Sequence, residues 1–233
     1  MTTRRFRAKS KKRSKQLSNG VEESMTWKDE FIELSQPADG RVAPVFKPHH
    51  AAVALVLIGR EQPLGRYDLC EKMSIGEGSV RTLLKRLSEA DYIEAAGKQG
   101  QTLTQKGKSL FNRVARDVPI GLSLNIRPLV MYEFAYANMV KSALPKITDG
   151  IRQRDEAIIQ GGYDSAGATT LIYKSGNLVM PPDDFHLLLN YEQETLLIIE
   201  SLRPEDGDVI VIGSADNQNL AREVSMAAVM TLF

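Results

Sequence analysis

The sequence predicts an α+β protein built in two parts, and three observations carry that expectation. Residues 48–118 run as buried helix, short helix, Gly-containing turn, amphipathic helix, hairpin and helix, the order and lengths of a small helical unit with an appended β-hairpin. Residues 119–233 alternate strand-like apolar runs with stretches of helical spacing, as a small mixed α/β domain does. Charge also divides the chain of 233 residues. Its net charge is +1, yet residues 1–17 hold eight bases and no acid, 18–44 hold 2 bases and 6 acids, 45–118 hold 12 bases and 8 acids, and 119–233 hold 8 bases and 15 acids.

The elements follow in order. Residues 1–24 form a basic tail carrying Arg4, Arg5, Arg7, Lys9, Lys11, Lys12, Arg13 and Lys15, too poor in apolar side chains to order itself and expected to be disordered in the free protein. It lacks the apolar core of a secretory signal. Residues 25–47 hold a short helix and a proline-rich linker: Trp27, Phe31, Ile32 and Leu34 make one or two amphipathic turns before Pro37, Gly40, Pro44 and Pro48 break the pattern. This arm packs on the body or on a second subunit. Residues 49–60 are apolar nearly all round, as in a central helix, and Gln62-Pro63-Leu64-Gly65 interrupts them.

A short helix over 66–73, a turn at Ser74 and Gly76, and a second helix through Ala90 come next. Val80, Leu83, Leu84 and Leu87 share one face at i, i+3, i+4 and i+7, turned to a core. Ser79, Arg81, Thr82, Lys85 and Arg86 remain on the other face, where long donors and short hydroxyls reach base edges and phosphates. Two short strands then flank a hairpin at Gly97-Lys98-Gln99-Gly100, and Thr104 N-caps a last helix whose apolar side is Leu110, Phe111 and Val114. This order is that of a winged helix-turn-helix spanning residues 48–118. It predicts contact with double-stranded DNA, with Lys98 and Gln99 reaching from the wing and the tail adding phosphate contacts. Any one piece taken alone is an ordinary solvated helix face; the succession at these lengths is what points to DNA. Leu103-Thr104-Gln105-Lys106-Gly107 also resembles the LT-x-x-G junction of winged-helix repressors of the multiple-antibiotic-resistance-regulator kind.

The second part begins at a boundary placed in Val118-Pro119-Ile120-Gly121. A strand-like run over 129–140 has Tyr132, Phe134 and Tyr136 alternating. Helical spacing over 147–160 turns Ile151, Ala157 and Ile158 to a core, and strands over 168–173 and 178–180 join at Ser175-Gly176-Asn177 as a hairpin. A helix over 192–202, a strand over 208–212 and a closing helix over 217–232 complete an α/β dimerisation or ligand-sensing domain, residues 119–233. Strand 209–212 leads through Gly213-Ser214-Ala215 into a helix, a geometry that offers free N–H groups to an anion. Gly167, Thr169 and Thr170 supply further donors and Arg154 a charge, so these residues are the candidate site for an anionic small-molecule effector. Glycines and hydroxyls at element ends also serve plain capping.

Three blocks, 146–158 (Lys-Ile-Thr-Asp-Gly-Ile-Arg-Gln-Arg-Asp-Glu-Ala-Ile), 167–171 (Gly-Ala-Thr-Thr-Leu) and 207–215 (Gly-Asp-Val-Ile-Val-Ile-Gly-Ser-Ala), resemble archaeal winged-helix proteins with a shared C-terminal domain of unknown function. The resemblance implies an archaeal-type transcription regulator and brings no ligand or catalytic residue with it.

Chemistry of other kinds finds little support. The histidines are His49, His50 and His186, without the spacing of a zinc or nucleophile motif, so no catalytic residue, metal or cofactor is assigned. Asp183, Asp184 and His186 suit a helix start better than a metal. The longest aliphatic run, 51–58, falls short of the roughly 20 residues of a membrane span. The single cysteine, Cys70, is expected as a small buried hydrophobe and fits a reducing cytoplasm, giving a cytoplasmic, nucleoid-associated homodimer as the expectation. A non-specific architectural DNA binder, or a small-metabolite enzyme fused to a DNA-binding domain, are the alternatives.

Overall fold

A computed structural model of the chain describes residues 25–37 and 42–233; the tail and its six named candidate contacts, Arg4, Arg5, Arg7, Lys11, Lys12 and Arg13, lie outside the described residues. The fold is α+β, as expected. Its N-terminal part runs α1 (Trp27–Leu34), α2 (Pro48–Glu61), α3 (Arg66–Glu71), α4 (Glu77–Glu89), β1 (Ile93–Ala95), β2 (Gln101–Leu103) and α5 (Gln105–Asp117). Helix α2 is buried over most of its length, which matches its apolar circumference. Val80, Leu83, Leu84 and Leu87 of α4 all reach the core. Strands β1 and β2 pair antiparallel from Ile93–Leu103 to Ala95–Gln101, and Leu64 adds a bridge to Gln101 with N–H to O distances of 3.0 and 2.9 Å, so the break after α2 is tied to the hairpin base. Thr104 caps α5 by accepting from the Gly107 N–H at 3.0 Å.

The arm packs on the body. Trp27 Nε1 donates to Asp117 at 3.0 Å, Lys28 Nζ to the Phe233 carbonyl at 2.9 Å, and Glu30 pairs with Arg113. The Trp27 ring lies against Phe233 with centroids 4.7 Å apart.

The C-terminal part contains β3 (Ile120–Leu124), β4 (Phe134–Val140), α6 (Ile151–Gly161), β5 (Ala166–Lys174), β6 (Asn177–Met180), β7 (Phe185–His186), α7 (Glu192–Leu202), β8 (Val209–Ala215) and α8 (Gln218–Met230). Its six strands form one antiparallel sheet in the order β3-β4-β8-β5-β6-β7. Alternation along β8 sets the layers: Val209 and Val211 join a core with Met226, Val229 and the N-terminal helices, while Ile210 and Ile212 face Ile198 and Leu202 of α7. Side chains at successive strand positions point to opposite faces, so one central strand serves two cores. Helix α8 lies between the sheet and α2, and nine of its residues from Ala221 to Met230 are buried. The two parts of the chain therefore share a core. No helix among the described residues is long and apolar enough to cross a membrane.

Four sequence expectations change. An edge strand, β3, absent from the sequence reading, begins within the boundary placed at 118–121: Ile120–Leu124 is half-buried and pairs with β4. The 129–140 run is a strand only from Phe134; Arg127–Leu129 is a 3-10 turn. Ile151 is 47% exposed and Gln153 takes the inner position, stabilised by a 2.7 Å bond from its Nε2 to Thr231 Oγ1. Cys70 is half-buried rather than buried; burial, with Glu77 nearby, pushes its thiol above the ordinary range and leaves it a poor nucleophile at neutral pH.

Candidate functional site

The outward face of α4 splits into two stripes. Arg81 and Lys85 stand exposed one turn apart, each paired only with an acid of its own helix, Arg81 to Glu77 at 3.3 Å and Lys85 to Glu89 at 3.7 Å. Such exposed pairs are worth little, so both cations are available to a phosphate or a base edge. Ser79, Thr82 and Arg86 form the second stripe, beside the linker. Ala43, Pro44 and Val45 make a cleft with Gly76, Gly78, Ser79 and Thr82, Thr82 Oγ1 donates to the Gly78 carbonyl at 3.0 Å, and Arg86 donates to the Gln36 carbonyl at 3.2 Å. Arg86 is half-buried and ties the end of the arm to α4. At the hairpin tip Lys98 and Gln99 are exposed, between Gly97 and Gly100, both at positive φ.

A buried carboxylate joins this unit to the sheet. Glu223 of α8 is fully buried; it accepts from the Ser74 N–H at 2.9 Å and from the Ser74 hydroxyl. His50 Nε2 lies 3.5 Å from the same carboxylate, and His50 Nδ1 accepts from the Lys47 N–H at 2.8 Å, which leaves the ring proton on Nε2 facing Glu223 in the neutral ring. Asn219 and Arg222 of α8 donate to the carbonyls of Glu71 and Lys72 at 2.8 and 2.9 Å. The turn between α3 and α4 is thus held by α8 along its length. Sequence reasoning missed this contact, although one acid among Ala, Val, Ser and Met in an otherwise apolar helix was its signal.

The C-terminal candidates separate. Arg154, Thr169 and Thr170 come together in a cleft of about 160 Å3 with Asp149, Gly150 and Pro181. The Thr170 hydroxyl is buried there without a hydrogen-bond partner among the described residues, and the Arg154 guanidinium pairs with Asp155 at 3.0 Å. Gly213, Ser214 and Ala215 do not join it. They continue β8, in register with Tyr136, Ala135 and Phe134 on one side and Ala168, Gly167 and Ala166 on the other. Their backbone groups belong to a central strand, so the expected open anion loop is absent, and Gly167 is likewise a strand residue. The closing helix is capped by Asn217, which accepts from the Leu220 N–H at 2.9 Å. Among the described residues no three His, Cys, Asp or Glu side chains gather as a metal site requires.

These features define an α+β protein in which a helix-turn-helix and hairpin unit is locked onto a six-stranded sheet through one shared helix. Residues 131–232 match a family model described as a domain of unknown function, DUF4443, and residues 51–109 match that of the PH0730-like N-terminal domain. Among solved structures, the hypothetical protein PH0730 from Pyrococcus horikoshii OT3 superposes with a TM-score of 0.63 at 29% identity, covering 80% of this chain and 91% of that one. Among curated proteins, the large ribosomal subunit protein uL5 of Kosmotoga olearia is 33% identical over 78 residues, which is 33% of this chain and 42% of that protein. The match therefore spans less than half the length of that relative.

Proposed function

We propose that the chain is a DNA-binding transcription regulator of archaeal type, a cytoplasmic, nucleoid-associated homodimer whose winged helix-turn-helix enters the major groove with α4. The observation that carries this reading is the exposure of Arg81 and Lys85 on α4 together with that of Lys98 and Gln99 at the hairpin tip, cations and an amide that can meet base edges and phosphates. Ser79 and Thr82 line the same groove wall once the linker is displaced or incorporated, and the basic tail adds sequence-independent phosphate contacts. Arg154 and Thr170 offer an anionic effector a guanidinium and a hydroxyl, with Thr169 contributing to the cleft through its neighbouring position in β5. Helix α8, touching both the sheet and the turn before α4, gives such an effector a rigid route to the DNA-binding face.

Selection from random-sequence duplexes at physiological salt, with structured RNA as competitor, tests the reading. The expected result is an enriched palindromic motif that persists when residues 1–17 are removed. Arg81→Ala and Lys85→Ala should then each weaken binding to that motif by about 1–3 kcal/mol where the side chain contacts a base. Binding to the motif that is unchanged in both variants refutes the placement of α4, and duplex binding without any motif, lost with the tail, makes the protein an architectural binder.

A further inference from the structure

A third cleft, distinct from the one on the α4 face and from the one at Arg154, opens where α1, the start of α2, α6 and α8 meet. Its volume is about 300 Å3, the lower end of the range in which small metabolites bind. Three cations line it, Lys28 from α1, Lys47 at the N-cap of α2 and Arg152 from α6, against one carboxylate, Glu156. The lining therefore carries an excess of two positive charges. None of the three cations has a salt-bridge partner among the described residues, although Lys28 Nζ donates to the Phe233 carbonyl at 2.9 Å. The Lys28 ammonium is pulled below its ordinary value by burial and by the Arg152 charge, with Asp29 and Glu156 acting in the opposite sense.

His49 supplies an independent pointer. Its ring lines the same cleft and is 4% exposed, yet no described residue hydrogen-bonds to its nitrogens. Its nitrogens are not among the sealed, unpartnered polar atoms, so a ligand in the cleft that carries a donor or an acceptor can meet this imidazole. The backbone agrees: Pro48 has no N–H, and His50 donates back to the Lys47 carbonyl at 3.0 Å. This leaves the His49 N–H as the orphan donor at the N-terminus of a 14-residue helix, where an anion is favoured. Ile32, Ala227 and Met230 give the cleft an apolar wall for a carbon skeleton. Glu156, held by Gln160 Nε2 at 2.7 Å, offers an acceptor to a hydroxyl or amino group.

We infer that this cleft binds a small organic anion bearing hydroxyl or amino donors, with Lys28, Lys47 and Arg152 on its charged groups and His49 and Glu156 on its polar ones. Because the walls come from the arm, the N-terminal unit and the C-terminal part, the bound anion clamps all three. The inference does not rest on the DNA reading: it concerns different residues and is read by a different measurement.

Calorimetric titration of the full chain with citrate and, separately, with inorganic pyrophosphate tests it. The expected result is saturable binding of at least one of the two at one anion per chain. Lys47→Gln and Arg152→Gln should each weaken it about tenfold, the loss of one charge-assisted contact, with unchanged melting temperature, whereas Arg81→Ala, Lys85→Ala and Arg154→Gln leave it intact. Absence of saturable binding by both anions overturns the inference. So does binding that ignores Lys47→Gln and Arg152→Gln, which places the anion elsewhere.

Discussion

A β-carbon at position 107 would collide with the Tyr92 carbonyl, and this collision is the physical content of the glycine in the Leu-Thr-x-x-Gly junction. Thr104 caps α5 through the Gly107 N–H, and the cap draws the helix start so close to β1 that no side chain fits. Gly213 plays a similar part in β8: a β-carbon there would lie 2.5 Å from the Ala221 carbonyl and from the Ser225 nitrogen. A glycine that signals a turn by propensity instead admits a helix against a central strand. His49 supplies a prediction at this scale. Burial, then the neighbouring His50 and Lys47, hold its imidazole well below the ordinary 6.5, whereas the unfolded chain takes up the proton near pH 6.5. Below that pH the unfolded state binds more protons, so the stability from the neutral ring is complete above about pH 6.5 and declines as pH falls toward the depressed folded value. Urea midpoints measured from pH 7.5 to 5 should drop with a contribution of up to about 1.4 kcal/mol per pH unit. In His49→Gln that contribution should vanish; an identical pH slope in both proteins assigns it to other groups.

Among the elements, those with strong periodicity were legible and those shaped by a neighbour were not. Helix α4 announced its inner face through Val80, Leu83, Leu84 and Leu87, and α7 its limits through an apolar stretch closed by Pro204. The β5–β6 hairpin was visible in Ser175-Gly176, both at positive φ, the geometry a two-residue turn demands. Strand β3 was hidden because an edge strand is half-buried and needs little sequence contrast. Of the candidate site, the open cations of α4 and the hairpin tip lie where the pattern put them. The arm's hold on Arg86 and the seat of Ser74 on Glu223 depend on residues 50 and 149 positions apart, beyond the reach of local spacing. Helix α1 supplies the second prediction. It is short, and Trp27 and Phe31 are its chief anchors, 2% and 0% exposed, so its stability comes from packing rather than propensity. Trp27→Ala should cost about 3–5 kcal/mol in denaturant unfolding followed by circular dichroism and make the peptide bonds of residues 26–37 accessible to protease. A loss below about 1 kcal/mol would show that the arm docks weakly.

For the molecule as a whole, the shared helix matters more than the boundary near residue 118. Ala228, Val229 and Met230 of α8 sit in one core with Leu55 and Ile58 of α2 and with Val209 and Val211 of β8, so neither part buries its apolar face alone. Thermal unfolding monitored at separate probes in the two parts should give coincident transitions; two resolved transitions would mean that each part carries its own core. The position of α8 in the chain then bears on how the protein is made. Residues 48–117 leave the ribosome well before α8, the helix that covers them and follows every other described element, and the Ser74–Glu223 contact spans 149 positions. At ordinary elongation rates that interval is roughly 7–30 s, during which the nascent N-terminal unit carries an uncovered apolar flank and chaperone binding competes with aggregation.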